Sequence, residues 1–280
     1  MPSSRPRKRF AQHWLRSDRA LASIVKAADL SPDDRVLEIG PGTGILTRQL
    51  LSSARSAIAV EIDRDLCAKL TKKLGDRDNF LLLQGDILEL DLEKILPTTP
   101  ELFHNPNKVV ANIPYNITGP ILEKLLGTIA APRPHPYKAI VLLVQKEVAL
   151  RLRANPGSKH FGALSVRVQY LADCEFVCDV RAKAFYPPPK VDSAVVRLLP
   201  REIVTPADNP KQLETLVKVG FSSKRKMLRN NLKALVDRDR LTQLLERLEI
   251  NPQSRAEDLG VAEWVALSNS LQLAPVNLQS

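Results

Sequence analysis

The stretch "VLEIGPGTG", Val36–Gly44, decides how the chain is read. It begins as an apolar strand over 35–40 and runs into a helix over 44–52. Between them lie three glycines at alternate positions: Gly40, Gly42 and Gly44. Glycines at a strand-to-helix turn let the backbone bend sharply and come close to a ligand. The spacing is G-x-G-x-G, not the G-x-G-x-x-G that seats a dinucleotide pyrophosphate. Glu38 precedes the turn, and a carboxylate there suits a ligand with a positive charge better than one with two phosphates.

Working outward, further apolar runs read as strands at 56–62, 80–86, 108–111 and 138–145. Helical patterns at 18–30, 64–74, 119–127 and in "KEVALRL" alternate with them. Short strands without polar alternation, separated by helices, indicate a parallel sheet covered on both faces. "EFVCDVR" (175–181) and "SAVVRLL" (193–199) flank "AFYPPPK" and read as an antiparallel addition to that sheet. After Pro200 the segments "PKQLETLVKVG", "KMLRNNLKALV", "RLTQLLERL" and "AEWVALSNSLQ" read as helices. The expected fold is therefore α/β with a small all-helical C-terminal domain, divided as 1–200 and 201–280.

Two acidic residues follow the glycine turn at successive strand ends. Glu61 stands where a carboxylate holds a ribose diol. Asp86 stands where one accepts from an adenine amino group. Ribose, adenine and a cation together describe S-adenosyl-L-methionine. The plainer reading is a set of tight turns with acidic helix starts, in which Asp63 and Asp65 cap the next helix.

The next strand ends in Asn112-Ile113-Pro114-Tyr115. This resembles the (N/D)-P-P-(Y/F) signature of methyltransferases acting on amino groups, adenine N6 above all. The adenine amino nitrogen is a poor nucleophile because its lone pair is delocalised into the ring. Acceptors from the Asn112 side chain and a carbonyl near Ile113 would orient it and favour the positive charge that develops. Pro114 fixes the backbone and brings no competing N–H. Tyr115 offers a face for the base, worth roughly 1–3 kcal/mol as stacking. The plainer alternative is a turn in which the asparagine caps a helix and the tyrosine is core.

The chain has 280 residues, 44% hydrophobic and 26% charged, in the range of globular proteins. No apolar run approaches the roughly 20 residues of a membrane span. "MPSSRPRKRF" lacks a secretory apolar core, so a cytoplasmic location is expected. Cys67, Cys174 and Cys178 show no CxxC spacing, and no Cys/His cluster has zinc spacing, so no metal is expected. The net charge of +10 is concentrated in two places. Arg5, Arg7, Lys8, Arg9, Arg16 and Arg19 crowd the start, and a second cluster fills 218–240. Such patches attract a polyanion, with nucleic acid favoured over a merely solvated face.

These features together resemble the dimethyladenosine transferase family of small-subunit ribosomal RNA, the kasugamycin-resistance methyltransferases. The motifs are "RKRFAQHWL", "VLEIGPGTG", "EIDRDL", "GDIL", "NIPYNIT", "QKEVALRL", "PGSKHFGALSV", "FYPPPKVDSAVVR" and "SSKRKMLRNNL". The resemblance implies a Rossmann-like, seven-stranded class I methyltransferase sheet. It implies transfer of two methyl groups to N6 of each of two adjacent adenosines in the hairpin loop near the rRNA 3′ end. The substrate would be a pre-assembled small ribosomal subunit; nothing in the sequence suggests more than a monomer. The cofactor ligands would be His13, Leu15, Gly40, Glu61, Asp86 and Asn112, with Gly42 from the turn. Asn112, Ile113, Pro114, Tyr115 and Phe185 would form the catalytic set, Phe185 sandwiching the target adenine with Tyr115. Lys224, Arg225, Lys226 and Arg229 would bind rRNA phosphates. Ala11 and Trp14 depart from the family's glycine and phenylalanine. Two alternatives stand beside this: an adenine N6-methyltransferase for another RNA, and a non-catalytic RNA- or DNA-binding assembly or transcription factor of the same fold.

Overall fold

A computed structural model of the protein describes residues 12–271. Arg5, Arg7, Lys8, Arg9 and Ala11 lie outside the described residues. The chain opens with a two-residue strand β1 (Trp14–Leu15) and helix α1 (Asp18–Ala28), followed by β2 (Arg35–Ile39), α2 (Ile45–Ser53), β3 (Ser56–Glu61), α3 (Arg64–Leu74) and β4 (Phe80–Gln84). Next come α4 (Leu92–Ile95), β5 (Lys108–Asn112), α5 (Thr118–Leu126), β6 (Ala139–Gln145) and α6 (Lys146–Arg153). Then follow α7 (Ala163–Leu171), β7 (Ala172–Val180), β8 (Phe185–Tyr186) and β9 (Ser193–Pro200). Helices α8 (Pro210–Gly220), α9 (Leu228–Asn231), α10 (Arg238–Arg247) and α11 (Val261–Ser270) complete the described chain.

Seven strands form one sheet in the order β4-β3-β2-β5-β6-β9-β7. The five from β4 to β6 run parallel, and β9 runs against β6. The cause lies in composition. Every residue of β3 is buried, as are Ala139–Val144 of β6. Strands apolar on both faces need cover on both faces. On one face α1 and α2 supply Leu21, Ile24, Leu46 and Leu50 against Val36, Ala57, Val110 and Val141 of the sheet. A fully buried side chain such as Ile24 contributes about 1.5–3 kcal/mol. Helix α1 starts where Ser17 Oγ accepts the Ala20 N–H at 3.3 Å. It stops at Ala28, short of the expected 30, because Asp29 turns left-handed at φ 45°.

Contacts divide the chain into two compact units. Among the described residues the first comprises 12–125, 135–149 and 174–200, and the second 126–134, 150–173 and 201–271. The expected division at 200/201 differs from this in two segments, 126–134 and 150–173. Helix α7 explains the second of these. Its Ser165 Oγ donates to Arg151 O at 2.6 Å, and Gln169 Nε2 donates to Leu152 O and Ala154 O at 3.0 and 2.8 Å. Leu152 O and Ala154 O lie at the unsatisfied end of α6, and Arg151 O also takes the Ala154 N–H at 3.3 Å. Within the second unit Trp264 is fully buried, its ring 5.7 Å from that of Phe221. A Cβ on Gly220 would come within 2.4 Å of that indole. The expected helix over 226–236 is shorter, Leu228–Asn231 followed by a 3-10 turn at Leu232–Ala234. Asn231, buried, spends its side-chain amide on Gly220 O and Ser223 O.

Candidate active site

The carboxyl ends of the parallel strands share one edge of the sheet, and the site is built there. At β2 the chain turns left-handed through Gly40 and Gly42, with φ 68° and 58°. The Gly40 N–H is held by Val60 O at 2.9 Å. A Cβ on Gly42 would sit 3.5 Å from the Trp14 ring. Glu61, last in β3, accepts the Gly42 N–H on Oε2 at 3.1 Å and the Asp63 N–H on Oε1 at 2.9 Å. Burial pushes its carboxyl up, and those two backbone N–H groups pull against the shift. Each carboxylate oxygen keeps a lone pair for a further donor, which suits a diol. Beyond β4, Asp86 accepts the Leu88 N–H on Oδ1 at 2.9 Å. Lys124 of α5 donates to Leu88 O and Leu90 O at 3.3 and 2.8 Å and holds that loop in place.

Strand β5 ends at Asn112, whose Nδ2 donates to His13 O at 3.2 Å. A carbonyl only accepts, so this bond fixes which end of the amide carries the nitrogen and leaves Oδ1 as the other end. Pro114 leads into a 3-10 turn at Tyr115–Ile117. The Tyr115 hydroxyl lies 2.5 Å from Ser193 Oγ, and its ring stacks on His13 with centroids 5.9 Å apart at 18°. Burial pushes the phenol up, with Ser193 opposing. His13 Nδ1 meets Pro187 O at 2.7 Å, so that nitrogen carries the proton. Gln12 donates to Asp63 at 3.2 Å. Residues 12–13 thus tie the Glu61 side of the site to the Asn112 side.

These elements enclose a cavity of about 350 Å³. Of the expected cofactor residues, His13, Gly40, Gly42, Glu61, Asp86 and Asn112 line it, beside Ile113, Pro114 and Tyr115. Leu15 and Phe185 do not. They pair across β1 and β8 and are 8% and 4% exposed in the core. Phe185, expected to sandwich the target adenine with Tyr115, is packed in the core in this structure and lies off the cavity lining. The neighbouring ring, Tyr186, is 44% exposed and lies under the Arg16 guanidinium at 4.1 Å. Leu15 instead lines an adjoining cavity of about 50 Å³ together with Glu38 and Thr43.

Glu38 is 1% exposed and its Oε2 has no partner. Burial pushes its carboxyl to about 8; Thr47 lowers it and Glu61 raises it further. The Thr47 hydroxyl is near enough to act electrostatically, yet its Oγ1 also lacks a bond of normal geometry. Trp14, its Nε1 without a partner, also lines the cavity, while Ser193 and Lys124 act on it through Tyr115 and the 88–90 loop; sequence spacing marked none of them as functional. Three of the four expected RNA-contacting residues, Lys224, Arg225 and Lys226, are exposed. Arg229 is half-buried, its Nε without a partner. No cluster of candidate metal ligands occurs among the described residues.

The sequence model of the ribosomal RNA adenine dimethylase family matches residues 3–273. The chain belongs to that family. It is 69% identical over 267 residues to ribosomal RNA small subunit methyltransferase A of Trichormus variabilis, covering 95% of this chain and 98% of that one. It is 56% identical to the protein of the same name from Synechocystis, covering 95% and 96%. Among solved structures, a dimethyladenosine transferase from Plasmodium falciparum superposes with a TM-score of 0.76 at 28% identity, over 91% of this chain and 96% of the other. The 23S rRNA methyltransferase ErmE superposes at 0.71, also at 28% identity, over 91% and 98%. The dimethylase is thus an rRNA methyltransferase that uses S-adenosyl-L-methionine. The cavity fits that donor. Its size falls within the ~300–1,000 Å³ typical of small-molecule sites. Two acidic side chains stand at successive strand ends, and Glu38, buried with its Oε2 unpartnered, lies beside the glycine turn. Among the described residues no helix is long and apolar enough to cross a membrane.

Proposed function

We propose that this dimethylase converts two adjacent adenosines, in the hairpin loop near the 3′ end of small-subunit rRNA, to N6,N6-dimethyladenosine. Glu61 holds the ribose of the donor, Asp86 its adenine, and the turn at Gly40–Gly42 the remainder. The bound donor supplies an electrophilic methyl group on a sulfonium. The protein orients the nucleophile. Asn112 Oδ1 accepts one N–H of the target amino group, and a carbonyl near Ile113 takes the other. This directs the nitrogen lone pair and stabilises the charge that develops there. No strong base is required, because the alkylated amino group is acidic and loses its proton to water. The Tyr115 ring carries the target base, which a single-stranded loop supplies at lower cost than a duplex. Residues 201–280 form the RNA-binding part, with Lys224, Arg225, Lys226 and Arg229 on phosphates.

The observation that carries this reading is the orientation of the Asn112 amide. The bond from Nδ2 to His13 O occupies the donor end and leaves Oδ1 as the acceptor for the target amino group. The test is transfer of radiolabelled methyl groups to undermethylated small ribosomal subunits, followed by nucleoside analysis. Dimethyladenosine at two adjacent loop positions is the expected product. Absence of transfer there, with the donor bound, would move the target to another RNA.

A further inference from the structure

We infer that Ser193 is a positioning residue for methyl transfer, holding the Tyr115 ring in the orientation that receives the target base. The inference rests on the adenine reading of Asn112–Tyr115. Ser193 opens β9 and lies opposite Gln145, the last residue of β6. In the same sheet Asn112 lies opposite Leu143, two residues earlier on β6. The reversed direction of β9 therefore brings the start of that strand to the edge where the parallel strands end.

Ser193 is fully buried, and its hydroxyl lies 2.5 Å from the Tyr115 hydroxyl. A buried serine in an otherwise apolar strand start would cost stability without such a partner. Its own position is fixed. Asp192 Oδ1 accepts the Ala182 N–H at 2.9 Å, and Asp192 O accepts the Lys146 N–H at 3.0 Å. The other end of the same segment acts through a second contact. Pro187 O holds His13 at 2.7 Å, and His13 stacks on Tyr115. A tyrosine ring turns about two torsions. One contact fixes its hydroxyl tip and the other restrains its face. Both come from Pro187–Ser193, a segment stiffened by three consecutive prolines. That segment serves the target side of the cavity through Tyr115, while Phe185, two residues before it in β8, packs in the core.

The test is a double-mutant cycle of Ser193→Ala and Tyr115→Phe, read by single-turnover methyl transfer, donor affinity and melting temperature. Each single variant removes the same hydrogen bond, so each should lower the transfer rate about 5- to 10-fold. The double variant should be no slower than the slower single, and donor affinity should stay within about twofold throughout. Singles whose effects multiply in the double, or a Ser193→Ala transfer rate within about twofold of wild type, would overturn the inference. Should Ser193→Ala fail to fold, Tyr115→Phe alone decides, and an unchanged rate there overturns it equally. Wild-type protein that methylates no adenosine would instead overturn the adenine reading. The melting temperatures would then still report whether the two hydroxyls are coupled.

Discussion

Replacing Glu38 by glutamine should remove most of the pH dependence of stability that arises at the donor-binding edge. Glu38 is 1% exposed and burial pushes it to about 8, against 4.5 in the unfolded chain. Between those values the folded protein holds a proton that the unfolded chain has released. The unfolded state then binds fewer protons, so stability falls as pH rises, by about 1.4 kcal/mol per pH unit, and levels off above about 8. Across the whole window this is roughly 5 kcal/mol, a ceiling reached only if no water enters the small cavity beside the carboxyl. Glutamine has the same shape and no charge. The variant should match wild type near about pH 5 and exceed it increasingly up to about pH 8. Urea unfolding of the donor-free protein at intervals across that range measures this directly. A cationic donor beside the turn favours ionised Glu38, so its binding to wild type should release protons below pH 8, and binding to Glu38→Gln should release fewer. Stability curves that run parallel across the window would refute the reasoning, and would mean that the carboxylate is solvated where it sits.

Asn112→Ala should lower methyl transfer by on the order of 10²–10³, the usual cost of losing an oriented polar contact to the reacting group, with a modest loss of donor affinity. Single-turnover rates and calorimetry separate the two effects. Asp34→Asn should cost about 2–3 kcal/mol at neutral pH. Burial of Asp34 acts to raise its carboxyl, yet bonds from Ser31, Lys108 and Asn107 outweigh it and hold the group at about 2, against 3.8 when unfolded. That stability is present above the unfolded value and is lost as pH falls toward 2, so the gap from wild type should close in acid unfolding. Neutralising Lys224, Arg225, Lys226 and Arg229 together should weaken RNA binding and flatten its dependence on salt. An unchanged slope in a filter-binding series would mean that those charges contact only water.

Much of this architecture is legible before any coordinates, for physical reasons. β3, β5 and β6 are continuous apolar runs, and only a sheet covered on both sides buries them. Gly40, Glu61, Asp86 and Asn112 were readable because each ends or follows such a run. Helix α7 was not. Val166, Val168 and Tyr170 alternate with polar residues as in a strand, and the helix is decided by Ser165 and Gln169 bonding distant carbonyls of α6. The shortening of the helix after Lys226 likewise turns on one side chain, Asn231, folding back on Gly220 and Ser223. Within "FYPPPKVDS" the chemistry of each residue is plain, but which of them serves the cavity is set by pairing between remote segments. Trp14–Leu15 against Phe185–Tyr186 sends Phe185 inward, and β9 against β6 brings Ser193 to the edge.

The reversal of β9 has a consequence for how such an enzyme can change. In a wholly parallel sheet, every loop at the ligand edge follows a strand. Here the loop at 181–192 follows β7 and leads straight back into β9 at the same edge. Gly40, Glu61 and Asp86 sit at the turns after β2, β3 and β4, whereas the 181–192 hairpin reaches His13 through Pro187 and leads into Ser193 beside Tyr115. The hairpin is therefore encoded apart from the turns that carry Gly40, Glu61 and Asp86. Lengthening or grafting that hairpin, with Ser193 kept in register, offers a route to a new nucleotide target without rebuilding the grip on the methyl donor.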